Sequence, residues 1–202
     1  MSRESNRRRL LCAVSAIALG VVFLTNPVTH VMVRGGSASP SMIAVRGFAA
    51  PLHMALLVAS VIGITQLLRT KADVAGLVGG ALTVIGWAVG IRILGLGQLE
   101  SLLPAATLRS AFEAAPIVWL SIVPSGLFFP IGLITLGAAI FFARPIPRAI
   151  GALLAAGGAL FPVGRIGQLP WAFVSCDLIL GAAFALIGWQ ILTRAELWTR
   201  EA

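Results

Sequence analysis

Six runs of mainly apolar residues follow one another along the chain, at about 10–33, 50–68, 74–94, 116–142, 149–165 and 171–193. Crossing roughly 30 Å of hydrocarbon takes about 17 to 25 helical residues, so each run has the reach of a transmembrane helix. One soluble core could not absorb them all. Of 202 residues, 58% are hydrophobic and only 11% charged, and the mean hydropathy is +0.99. Lipid must therefore be the solvent, and lipid admits only structures that satisfy their own backbone. The expectation is an all-α integral membrane bundle, a single domain over 1–202 with six transmembrane helices.

A formal net charge of +8 and a pI near 11.6 could suggest nucleic acid as a partner. The basic residues instead flank the apolar runs, a pattern that sets membrane orientation. Arg3, Arg7, Arg8, Arg9, Arg69, Lys71, Arg144, Arg148, Arg194 and Arg200 fall in one set of connecting segments; Arg34, Arg46, Arg92, Arg109 and Arg165 fall in the other. The richer set predicts cytoplasmic N and C termini. Trp171 and Trp198 sit where interfacial anchors belong. The expected partners are the bilayer and other membrane subunits, with no nucleic acid.

The opening "SRESNRRRLLCAVSAIALGVVF" has the basic flank and apolar run of a secretory signal, yet the apolar pattern continues through "LTNPVTHVMV". That length predicts a retained first helix. Cys12 and Cys176 begin the first and last runs, in opposite leaflets, so no disulfide is expected.

The linkers carry their own signals. "GGSASPSMIAVRG" predicts a flexible first outer loop. The second, around 99–115, reads "LESLLPAATLRSAFEAA": Leu108, Ala111, Phe112 and Ala115 share one helical face and Arg109 and Glu113 form an i,i+4 pair on another. This predicts a short outer-surface helix near 105–115, with an ordinary connector as the alternative. The fourth run holds Pro116, Pro124 and Pro130, which predicts a kink or unwinding around "VPSG". Small residues at Ala75, Gly76, Gly79, Gly80, Gly86 and Gly90 predict a central third helix, and Gly157 with Gly158 give the fifth a shorter smooth face. "VGIRILGLGQL" and "VGRIGQL" echo one another. Tandem helical hairpins and chance similarity in a Gly-, Leu- and Ile-rich chain both explain that echo.

Counted by depth, the polar residues collect in the outer half. Asn26, His30, Arg92 and Arg165 end the odd runs there; Arg46, His53, Ser125, Ser175 and Asp177 open the even ones. Asp177 lies about 12 Å deep and Arg165 about 5 Å, at about 1.5 Å per residue. A lone charge at mid-bilayer costs on the order of 2.5–3.5 kcal/mol, so each needs a partner. Arg165 and Asp177 are expected to meet across their hairpin, with Arg92 as the competing cation. The candidate cluster is Arg92, Arg165, Asp177, Ser125, His53 and His30, either a packing device that pins helix register or a ligand pocket.

Other chemistry is thinly represented. His30 and His53 share a depth and could supply two haem or metal ligands, without a CxxCH or second-shell pattern. Ser125 at a helix break has no His or Lys near it in sequence to activate it. No phosphate loop, HExxH or CxxC occurs. No catalytic residue, resident metal or cofactor is expected.

The stretch "SGLFFPIGLITLGAAIFFARPIPRAIGALLAAGG" at 125–158, with an apolar helix closed by Arg144, a link ending in Pro147 and Arg148, and a Gly-spaced helix, together with "VRGF" at 45–48, resembles an uncharacterised family of small bacterial six-helix inner-membrane proteins. The chain departs from that layout in its proline-rich fourth run and its "FPVGRIGQLPW" turn. The resemblance implies a six-helix architecture in a bacterial cytoplasmic membrane, and no activity or site. The reading is a noncatalytic accessory, sensor or small-ligand or lipid-binding membrane protein. A small-solute or ion transporter is one alternative, and a haem-binding oxidoreductase subunit using His30 and His53 is the other.

Overall fold

The computed structural model describes residues 3–34, 40–102, 126–165, 167 and 169–198, with 29–34, 40–50, 90–102 and 197–198 described by backbone alone. Among these residues all regular structure is helical: α1 (Arg3–Arg34), α2 (Pro40–Leu68), α3 (Asp73–Leu102), α4 (Phe128–Ala143), α5 (Arg148–Arg165), α6 (Pro170–Thr193) and a terminal 3-10 turn (Ala195–Trp198). Three helical stretches, Arg3–Val28, Pro51–Leu68 and Pro170–Thr193, are long and apolar enough to cross a membrane. Asp73–Val89 and Phe128–Ala143 are apolar but shorter.

Two boundaries differ from the expectation. The first outer loop gives up its second half, because α2 starts at Pro40 rather than near 50. Proline has its φ preset for a helix and no N–H to leave unpaired, so it suits a first turn, and the next proline is Pro51. Helix α3 likewise runs on to Leu102. On the fourth run the described residues begin at Gly126, a turn at Leu127 caps α4, and α4 begins at Phe128, so most of "VPSG" lies outside them. Residues 103–125, which include the expected surface helix near 105–115, lie outside the described residues. The tight α4–α5 link follows from its sequence: Arg144 adopts a left-handed conformation at φ 55°, its N–H donates to the Ile140 carbonyl at 2.9 Å, and the prolines after it cannot extend the helix.

Each helix packs on the next, and α6 returns to α1, so the helices close a ring. Glycines set the separations and show the directions. A Cβ on Gly20 of α1 would lie 2.7 Å from Gly181 O and Ala185 N of α6, while one on Gly188 would lie 2.6 Å from Ala13 O; the two helices therefore run antiparallel. Gly76 and Gly80 face Leu68 and Val61, Gly79 and Gly86 face Leu136 and Phe129, and Gly137 and Gly158 face Ala155 and Pro130. In a medium that gives no hydrophobic drive for association, such close backbone approach supplies dispersion contact instead.

The small-residue face of α3 does not make that helix central. It is divided, with Gly76 and Gly80 toward α2 and Gly79 and Gly86 toward α4. Among the described residues, α2 is the helix that reaches across, touching α1, α3, α4 and α6.

The bundle is apolar outside as well as inside. Val21, Leu24, Ile62, Leu77, Ile85, Ile131, Ile134 and Leu186 are all exposed, forming a belt suited to acyl chains. Arg3, Arg7, Arg8, Arg69, Lys71, Arg144, Arg148 and Arg194 are exposed at one end, which we term the basic end. Trp189 lies near that end and Trp171 at the other, 55% and 60% exposed, as interfacial indoles do. Cys12 and Cys176 are free, buried and at opposite ends of the ring.

Candidate functional site

Away from the basic end, α1, α5 and α6 meet at a buried ion pair. Asp177 is fully buried. The Arg165 Nη2 donates to its Oδ1 at 2.9 Å and Oδ2 at 3.2 Å, and the Asn26 Nδ2 donates to Oδ2 at 2.5 Å. Arg165 is 21% exposed at its side chain. Bringing two such ions out of water costs several kcal/mol per ion, which mutual attraction and added hydrogen bonds must offset. Here the carboxylate accepts from two helices besides its own.

The hairpin sequence explains this geometry. Helix α5 ends at Arg165, the Gly167 N–H donates to Pro162 O at 3.1 Å, and Leu169 is extended at ψ 114°, as a residue before proline prefers. Pro170 then starts α6. Gly164 allows the two backbones to touch, since a Cβ there would sit 2.6 Å from Phe173 N. That approach brings the Arg165 guanidinium to 3.9 Å from the Phe173 ring centroid and 5.4 Å from that of Phe161. A guanidinium is weakly hydrated and planar, so stacking between rings compensates part of its lost hydration.

Beneath the pair lies a layer with one ring from every helix: Phe23, His53, Trp87, Phe129, Phe161 and Phe184, in order from α1 to α6. Phe23 stacks on Phe184 with centroids 5.9 Å apart and touches Trp87 at 6.1 Å. Trp87 meets Phe129 at 4.8 Å, Phe129 meets Phe161 at 4.8 Å, and His53 stands edge-on to Trp87 at 6.2 Å. Trp87 thus reaches the middle of the ring.

Below this layer, four hydroxyls bond to their own helices. The hydroxyls of Ser60, Thr65, Thr83 and Thr135 donate to Leu56, Ile62, Gly79 and Ile131 carbonyls at 2.6, 2.9, 2.7 and 2.8 Å. This back-bonding is how a helix carries a hydroxyl through hydrocarbon without a second helix.

Of the six candidate residues, the structure brings Arg165 and Asp177 into contact and places His53 in the aromatic layer. The side chains of Arg92 and His30, and all of Ser125, lie outside the described residues. Among the described residues, no three His, Cys, Asp or Glu side chains gather as metal ligands would. Sequence reasoning placed Asn26 at the right depth without singling it out, and it missed the aromatic layer. Counting aromatic positions by depth shows that these rings share a level, but not that they face one another. Comparison with known proteins returned no matching family model, no similar curated protein and no similar solved structure.

Proposed function

We propose that the chain is a noncatalytic protein of a bacterial cytoplasmic membrane, crossing it six times with both termini inside, that serves as an accessory or sensor subunit by binding a small molecule or lipid at its outer-leaflet end. The observation that carries this reading is the one-sided polarity of the bundle. Ionic and amide contacts between helices occur at the Asp177 end, while the hydroxyls beneath are bonded to their own backbones. A transporter needs polar groups that face a path to the opposite side, whereas the hydroxyls of Ser60, Thr65, Thr83 and Thr135 in the glycine-packed lower half are bonded to their own backbones. Orientation rests on the distribution of Lys and Arg.

Two measurements test the reading. Single cysteines at Ser5→Cys and Trp171→Cys, treated with an impermeant maleimide on intact cells, should label at position 171 from outside and at position 5 only after lysis. The reverse pattern overturns the topology. Asp177→Asn and Arg165→Gln, alone and combined, separate site from scaffold: a double variant with normal abundance and a lost cellular phenotype supports binding. A double variant with normal abundance and an unchanged phenotype reduces the cluster to packing.

A further inference from the structure

Resting on the binding reading above, the geometry points to the class of ligand. We propose that the aromatic layer and the N–H groups of Trp87 and Arg165 form a site for an uncharged, membrane-soluble molecule that presents carbonyl oxygen, either a quinone or a glyceride ester. Trp87 Nε1 and Arg165 Nε are both buried without a hydrogen-bond partner. Both are donors, so neither can satisfy the other; only an acceptor can. Hydrocarbon offers no such acceptor, and an unmatched buried donor is costly.

The basic end provides the contrast. Its two unmatched atoms, Arg9 Nε and Gln190 Oε1, are a donor and an acceptor, on the facing helices α1 and α6, and so are complementary in kind. The Trp87 and Arg165 donors have no such complement. They are joined by a continuous run of rings, Trp87 to Phe129 at 4.8 Å, Phe129 to Phe161 at 4.8 Å and Phe161 to the Arg165 guanidinium at 5.4 Å. Aromatic surface flanked by two N–H groups, its rings inclined at 42° and 61° to one another, suits a conjugated or esterified carbonyl compound. Charge decides against an anion. Arg165 is already neutralised by Asp177, and a second negative group would be buried without a counter-ion among the described residues.

The test uses the full chain in maltoside micelles and follows thermal unfolding with decylubiquinone, dioctanoylglycerol, dodecyl phosphate or dodecane added. A saturable rise in Tm with decylubiquinone or dioctanoylglycerol is expected, and which of the two acts identifies the source. Trp87→Phe keeps a ring and removes the donor, so the apparent affinity should fall about five- to tenfold. Trp189→Phe, on the outer face, should leave it unchanged. Should Trp87→Phe fail to fold, Arg165→Lys, which keeps the charge and removes Nε, makes the same comparison. Equal effects of dodecane, saturation by dodecyl phosphate alone, an unaltered affinity in Trp87→Phe, or no saturable shift each overturn the proposal. Saturation by dodecyl phosphate alone would still leave the broader binding reading standing.

Discussion

The two ends of the ring are held together by different physics. At the basic end and through the middle, helices touch backbone to backbone at glycines, as Gly188 does against Ala13 and Gly137 against Ala155. At the Asp177 end Gly164 makes the same close approach, but an ion pair, an amide and stacked rings are added, and there too the helices carry internal prolines, Pro27, Pro51 and Pro162. Each proline removes one backbone hydrogen bond and loosens its helix locally. Close packing is cheap in lipid but chemically inert. The polar, proline-interrupted end costs more to assemble and has groups that can bind.

Breaking that contrast should have its largest effect at the pair. Asp177→Asn, which leaves Arg165 uncompensated, should destabilise the protein by about 3–5 kcal/mol in denaturant unfolding in micelles, and Arg165→Gln similarly. Combining them should recover most of the loss, because no uncompensated charge remains. Additive losses would show that the two side chains are not coupled.

Truncating the aromatic layer comes next. Phe129→Ala should cost about 3 kcal/mol, through the cavity left between Trp87 and Phe161 rather than through transfer from water, since the denatured chain also stays in the micelle. A near-neutral result would mean that the layer repacks. At the glycine-packed end, Gly188→Ala would set a Cβ 2.6 Å from Ala13 O and 2.8 Å from Ile17 N, and about 1–3 kcal/mol of overpacking is expected from the same unfolding assay. The smallest effect belongs to the hydroxyls between the two ends. Thr83→Val removes a bond to its own helix alone and should change stability by less than about 1 kcal/mol. A larger loss would reveal a polar contact between helices where the middle of the bundle is read as dry.

How much of this was legible in advance depended on sequence separation. Arg165 and Asp177 lie 12 residues apart across a hairpin tightened by Gly164 and Pro170, so counting depth from the turn was enough to pair them. Asn26 and Asp177 are 151 residues apart, and their bond exists only because α6 closes the ring against α1. The aromatic layer was hidden for the same reason. Phe23 and Phe184 share a depth that could be counted, but not an azimuth that could. The glycines of α3 announced close packing correctly but not with which neighbour, since two faces of one helix read as one stripe when only small residues are counted.

The order of apolar runs, the basic flanks and the pairing of one short hairpin were set by the sequence alone, because each depends on local composition measured against the thickness of a bilayer. Which helix sits beside which, the third partner of Asp177 and the meeting of six rings were decided by tertiary structure. Those depend on the rotation of each helix about its own axis, and in lipid that rotation is fixed only by the detailed fit of one helix surface to the next.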